Sequence, residues 1–175
     1  KAQSTIYAQP VDDCDMEEAL DRLSRVFGIA ALTRAAVVEK DMEAIKKTAA
    51  QYLEEELKAA STFKVAAKRS DKSFPMTSPD ICRELGGWLL RQFPHLKVDV
   101  ENPDVLVVVE VRDFAAYVHG AQLPGAGGIP VGSSGRAMLL LSGGIDSPVA
   151  GVMMAKRGLS ISAVHFYSPP YTSER

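Results

Sequence analysis

The residues best suited to chemistry lie together in Met138 to Ser147, MLLLSGGIDS. Gly143 and Gly144 carry no Cβ, so the backbone there can approach phosphate oxygens and adopt positive φ if required. An apolar run precedes them, and Pro148 follows at a point that suits a first helical turn, where its missing N–H costs nothing. Strand, glycine turn and helix start in this order form the place where a parallel sheet receives an anion on backbone N–H groups. Ser142 and Ser147 add hydroxyl donors. The turn reads as a nucleotide phosphate site, with a purely structural double-glycine turn as the plainer alternative.

The type of phosphate site is narrowed by what the turn contains. A GxxxxGK[ST] loop needs a lysine for the β and γ phosphates, and none occurs after the glycines until Lys156. GxGxxG is absent too. Asp146 instead places a carboxylate in an anion-binding turn, where it would repel phosphate unless it binds a metal ion or caps the helix. Magnesium carried with ATP resolves that conflict.

Other reactive residues are sparse. Cys14 and Cys82 stand far apart, outside any CxxC pair or Cys/His cluster, so no protein metal site is expected and both thiols read as ordinary. Charge is unevenly spread around a net value of −2. Val11 to Ser61 holds twelve acids against seven bases, whereas Thr62 to Val98 holds seven bases against three acids. Lys64, Lys68, Arg69 and Lys72 form the densest group; they read either as a solvated face or as an anion-facing one. Phe74 beside them could stack on a base, though core packing suits it better.

The elements that must position these residues follow from periodicity. With 46% hydrophobic and 24% charged residues the chain is globular, and its 175 residues allow one or two domains. No apolar run approaches the roughly 18 to 20 residues that span a bilayer, and the first residues lack signal-peptide order, so a soluble cytoplasmic protein is expected. Ser4 to Gln9 reads as a strand, Met16 to Phe27 as a helix capped by Asp15 and stopped by Gly28, and Ile29 to Val38 as a strand. Met42, Ile45, Ala49, Leu53 and Leu57 make one helical stripe after Asp41. Then come a half-buried strand from Thr62 to Lys68, a helix opened by Ser78 and Pro79, and strands at Lys97 to Val100, Val105 to Arg112 and Ala115 to His119, an α+β domain. The stretch from Gly120 to Gly135 reads as a linker, or as a loop that also touches a ligand. Buried strands at Ala137 to Leu141 and Leu159 to Phe166, joined by a helix from Pro148, make an α/β crossover of a parallel sheet.

SGGIDS resembles the SGGxDS signature of the PP-loop ATP pyrophosphatases. LLLSGGIDSPVAG, AKRG, AVHFYSPPYTSER, PGAGGIPVG, KRSDKSFPMTSPDI and VDVENPDV together resemble the tRNA 4-thiouridine synthetase family over nearly the whole chain. The resemblance implies a partial ferredoxin-like unit over residues 1–36, a THUMP RNA-binding domain over 37–120, a linker over 121–135 and the first β-α-β of a PP-loop domain over 136–175. It implies that ATP, with Mg2+, adenylates uridine at position eight of tRNA. Persulfide sulfur from a cysteine desulfurase then displaces AMP, and the same chemistry serves thiamine thiazole synthesis.

Carried over by position, the resemblance makes Asp146 the residue needed for ATP activation. Ser142, Gly143, Gly144 and Ser147 become the pyrophosphate grip. Leu140, Leu141, His165 and Phe166 become adenine and ribose contacts, although His165 by pattern alone is a packed or solvent-facing residue. Lys64, Lys68, Arg69 and Lys72 become tRNA phosphate contacts. Two parallel strands do not close a nucleotide domain, so the chain reads as a fragment that is inactive alone. The resemblance suggests a homodimer, while no pattern marks a self-complementary face. Another PP-loop tRNA-modifying enzyme and a bare RNA-binding module remain the alternatives.

Overall fold

The computed structural model describes residues 5–167. The chain forms two compact units, one running up to Leu32 and resuming at Leu123, the other Thr33–Gln122. Each is built by its own local rules.

In the first unit, helix α1 (Met16–Ser24) starts where the Asp15 carboxylate accepts from the Glu17 and Glu18 amides. The helix expected to run to Phe27 ends at Ser24 with Arg25 as its C-cap, and Gly28, at φ +98°, turns the chain three residues farther on instead of stopping the helix. Of the strand expected over Ser4 to Gln9, Ser4 lies outside the described residues, Thr5 makes only a β-bridge, and residues 6–9 run without regular structure, with Ile6 83% exposed. The strand expected over Ile29 to Val38 is divided. Strand β1 (Ala31–Leu32) stays in this unit, and β2 (Ala35–Val38) belongs to the next, because the chain changes units between them.

The second unit is a five-stranded mixed sheet in the order β2-β6-β5-β3-β4. It takes in β3 (Thr62–Arg69), β4 (Lys97–Val98), β5 (Val105–Val111) and β6 (Ala116–His119). β3 runs parallel to β4 and β5, as the crossover through helix α4 (Ser78–Gln92) requires, and β6 is antiparallel to β5 and β2. Asp41 caps helix α2 (Met42–Tyr52). The stripe that reads as one helix breaks at Leu53 and resumes as α3 (Glu54–Ala59), with Leu53 and Leu57 both kept in the core.

Phe63, Val107, Val109 and Val111 of the sheet meet Ile45 and Ala49 of α2 and Ile81, Leu85 and Leu89 of α4, all buried. Lys46 is 6% exposed yet charged, because Glu43 and Glu84 each accept from its Nζ at 2.7 Å and join α2 to α4. Those two carboxylates raise its pKa against the opposing effect of burial. Helix α4 begins at Ser78 as expected, behind a capping box in which Thr77 and Asp80 bond reciprocally. It also carries Gly86 and Gly87 in its interior, a choice that costs roughly 1 kcal/mol each against alanine. Gly86 lies under Val65, but nothing lies within 4 Å of where a Gly87 Cβ would stand.

The glycine-rich stretch from Leu123 on, which reads as a linker, belongs to the first unit and is laced rather than loose. Strand β7 (Leu123–Pro124) pairs with β1, Gly125 and Gly127 donate to Ala30 and Ile29, and Gly28 donates back to Gly127. Farther on, Ile129 donates to Lys156, while Gly132 and Ser134 both donate to Gly158. Gly128 is confined by that packing, since a Cβ there would stand 2.3 Å from the Lys156 carbonyl oxygen.

After it, β8 (Arg136–Leu140) and β9 (Ser160–Val164) form a parallel pair joined by helix α5 (Asp146–Lys156). Gly151 of α5 rests on Leu139. The strands expected to be buried are covered on one face only. Ala137 and Leu139 lie under the helix, whereas Met138 and Leu140 on the other face are 62% and 65% exposed.

Candidate functional site

Strand β8 ends at Leu140 and α5 begins at Asp146, with five residues between, so the SGGI turn sits where the strand's carboxyl end meets a helix N-terminus. The helix starts at Asp146, two residues earlier than its proline suggests. Pro148 is then its third residue, still within the first turn, where no intrahelical N–H is lost. No side chain caps this helix. Its leading amides and partial positive charge therefore face the turn without a protein acceptor from a side chain.

The turn is closed by its two serines. The Ser142 amide donates to the Ser147 hydroxyl at 3.1 Å, the two hydroxyls lie 3.1 Å apart, and the Gly144 amide donates to Ser142 Oγ at 3.3 Å. The serines therefore shape the loop first and offer hydroxyls to a ligand second. Gly143 and Gly144 do not adopt positive φ. Nor does the fold crowd them: a Cβ on Gly143 would meet nothing within 4 Å, and one on Gly144 only Ser142 Oγ. The backbone is open to a ligand of phosphate size.

Asp146 is exposed at the first position of α5, and its carboxylate has no hydrogen-bond or ion-pair partner among the described residues. It does not cap the helix, which leaves the cation-binding alternative. No group of three or more metal-type ligands surrounds it among the described residues. One carboxylate with an open anion site fits Mg2+ held mainly by the phosphates of a nucleotide.

The apolar candidates lie beside this turn. The Leu141 amide donates to the Val164 carbonyl at 2.8 Å, and His165 Nδ1 lies 3.0 Å from the Leu141 carbonyl oxygen. Because a carbonyl only accepts, Nδ1 is the donor in that bond. Leu140 and Phe166 are 65% and 74% exposed at the same end of the strand pair. Leu140, Leu141, His165 and Phe166 thus frame one edge of the turn. The PGAGGIPVG loop is held at Lys156 to Gly158, the opposite end of α5, about 16 Å from the turn by helix rise.

The basic candidates of the second unit differ in their freedom. Arg69 Nη1 donates to the Phe74 and Met76 carbonyls at 3.0 and 3.3 Å, so it folds the loop after β3. Lys64 Nζ donates to the Val100 carbonyl at 2.9 Å, and Lys68 pairs with Glu110 at 3.4 Å. Burial alone would raise the Glu110 pKa, but Arg112 and Lys68 hold it below the ordinary carboxylate value. Lys72 is exposed with no partner among the described residues.

Sequence reasoning missed Lys40 and Phe114. Lys40 Nζ bridges the Asp71 carboxylate at 2.6 Å and the Asp113 carbonyl at 2.7 Å, tying the Ser70 to Met76 loop to the β5–β6 turn. With Ser73 it holds Asp71 well below the usual carboxylate range. Next to Asp113 on that turn, Phe114 is 96% exposed, whereas Phe74 is buried in the core as its better reading held. A lone aromatic in RDFAA gives no periodic signal of such exposure.

Comparison with known proteins matches these two parts separately. Residues 39–119 match the THUMP domain, and residues 132–175 match the family described as thiamine biosynthesis protein (ThiI). A probable tRNA sulfurtransferase of Acetivibrio thermocellus is 50% identical over 100% of this chain and 45% of its own length. One of Macrococcus caseolyticus is 47% identical over 97% of this chain and 42% of its own. The chain spans less than half the length of these relatives. Among solved structures, a 4-thiouridine synthetase in complex with RNA and bound ATP superposes with a TM-score of 0.85 at 42% identity. That match covers 94% of this chain and 43% of the other. PH1313 from Pyrococcus horikoshii superposes with a TM-score of 0.79 at 32% identity, covering 85% and 51%.

Proposed function

The chain corresponds to the N-terminal portion of the tRNA sulfurtransferase family, a THUMP domain followed by the start of the ThiI domain, and we propose that the whole protein is an ATP-dependent tRNA sulfurtransferase. It adenylates uridine at position eight of tRNA, and persulfide sulfur from a cysteine desulfurase replaces the activated oxygen to give 4-thiouridine. The same sulfur transfer supplies thiamine thiazole synthesis. No helix among the described residues is long and apolar enough to cross a membrane. A cytoplasmic homodimer is the setting in which we place this activity.

The observation that carries the nucleotide half is the combination, in one turn, of open glycines, an uncapped helix N-terminus and the unpartnered Asp146 carboxylate. Bound ATP with Mg2+ would supply the activated phosphoryl group and the charge that Asp146 requires. The Gly143 and Gly144 backbone and the first amides of α5 bind and orient the phosphates. Ser142 and Ser147 hold the turn in that shape. Leu140, Leu141 and Phe166 give the base an apolar edge, and His165 joins them as an adenine or ribose contact. Lys64, Lys68 and Lys72 attract the tRNA backbone, while Arg69 positions their loop.

Replacing Asp146 with alanine in the full-length protein tests the assignment through AMP formation in an ATP- and tRNA-dependent thiolation assay. AMP formation is lost while tRNA binding persists. Unchanged AMP formation in that variant would remove Asp146 from the mechanism.

A further inference from the structure

We propose that Gly128 is a positioning residue for the nucleotide: its lack of a side chain lets the PGAGGIPVG loop seat on the last carbonyl of α5 and so fixes how far the leading amides of that helix reach toward the phosphates. The proposal rests on the nucleotide reading above and adds to it a residue at the far end of the helix from the turn.

Lys156 ends α5, and its carbonyl oxygen accepts from the Ile129 amide at 3.0 Å. Gly128, immediately before that donor, is left-handed at φ +79°. A Cβ on it would stand 2.3 Å from the same oxygen and 2.7 Å from Lys156 Cγ. The first distance is roughly 1 Å short of ordinary contact. Helix carbonyls point along the axis toward the C-terminus, so whatever presses on this oxygen pushes α5 lengthwise, toward the glycine turn.

The loop cannot back away from the helix. On its other side Gly125 donates to Ala30, Gly127 donates to Ile29, and Gly28 donates to Gly127. Packing there is equally close, since a Cβ on Gly125 would stand 2.2 Å from the Ile29 carbonyl oxygen and one on Gly28 2.7 Å from Pro130 Cγ. Beyond the seat, Gly132 and Ser134 both donate to Gly158. The helix is the looser partner: Gly151 rests on Leu139, but Val149, Val152 and Met153 are each more than half exposed. A hydrogen-bonded helix is stiff along its length, so a shift at Lys156 arrives at Asp146 and displaces the phosphate-facing amides.

The test uses the full-length protein and its ATP- and tRNA-dependent AMP formation, comparing Gly128→Ala with Gly127→Ala. Gly127 is also left-handed, at φ +64°, but a Cβ there would meet nothing within 4 Å, so its variant shares the backbone strain without the push on Lys156. Gly128→Ala raises the KM for ATP about tenfold and leaves the KM for tRNA unchanged, because the RNA contacts assigned above lie on the other unit. Gly127→Ala keeps both values. Pro130→Ala, which frees the backbone beside the seat without any clash, raises the KM for ATP about threefold. Loss of folded protein alone lowers the apparent kcat and moves neither KM.

A KM for ATP equal to the parent's in Gly128→Ala overturns the proposal, and Pro130→Ala decides in the same way if Gly128→Ala does not fold. An equal rise in Gly127→Ala overturns it too, since backbone strain alone would then suffice. A parent that forms no AMP overturns the nucleotide reading and this inference with it, whereas an active parent with unaltered variants overturns this inference alone.

Discussion

The Ser142 amide and the Ser147 hydroxyl meet at 3.1 Å and close the glycine turn from its first residue to the second residue of α5. That bond sets the shape of the turn without occupying the glycine backbone. Ser147→Ala removes the acceptor of the Ser142 amide and the partner of its hydroxyl. Because the bond is exposed, stability falls by less than about 1 kcal/mol. AMP formation by the full-length protein falls about 10- to 100-fold through loss of phosphate positioning, and Ser147→Thr restores most of it.

Gly143 gives a contrasting case. Its φ is ordinary and the space over it is open, so alanine fits the fold. The melting temperature of Gly143→Ala should stay within the roughly 0.5 kcal/mol spread of neutral surface changes. Nucleotide affinity, read by ATP titration of the full-length protein, should drop, because the methyl group stands where phosphate oxygens approach. Unchanged affinity would remove that face of the turn from the phosphate site.

Lys46 and Glu84 make stability depend on pH at both ends. Glu84 is held below its ordinary pKa by Lys46, so its contribution is present above the usual glutamate range and is lost as pH falls through the folded value. Lys46 is raised, first by Glu43 and then by Glu84, so its contribution is present below the usual lysine value and is lost as pH rises through the raised one. Glu84→Gln should lower stability slightly near neutral pH, since the carboxylate is exposed and its pairing with Lys46 is screened by solvent. The difference from the parent should begin to shrink as pH falls below the usual glutamate range and vanish below the lowered folded value, measured by urea denaturation at several pH values.

Lys72 and Arg69 should separate binding from folding. Lys72→Ala, removing an unpartnered surface cation, leaves the melting temperature unchanged and lowers the slope of log affinity against log salt for RNA by about 0.7 to 0.9. Arg69→Ala releases the Phe74 and Met76 carbonyls and should cost about 1.5–3 kcal/mol, with amide exchange rising over the Ser70 to Met76 loop.

Helix α4, strand β3 and the strand-turn-helix of the glycine turn were legible because their information is local. Capping residues, alternation and a glycine pair state their positions within ten residues or so. The break at Leu53 was not legible, because the apolar stripe continues in phase across it and only the packing of Leu53 and Leu57 against the sheet shows two helices. The division of Ile29 to Val38 depends on which distant strand each half pairs with, Leu123 to Pro124 for one and Ala116 to His119 for the other. The roles of Phe74 and Phe114 follow from the Arg69 clamp and the Lys40 bridge, and a bond across 73 residues leaves no periodic trace.

The pairing of β1 with β7 also bears on how such a protein is assembled from parts. Leu32 is the register partner of Leu123, so the chain leaves the first unit and returns to it at neighbouring points, with Thr33–Gln122 between them. In topological terms the second unit is an insertion whose two joints are stitched together. It can therefore be excised, replaced or transplanted as a cassette: a short turn joining Leu32 to Leu123 closes the remainder without moving either strand.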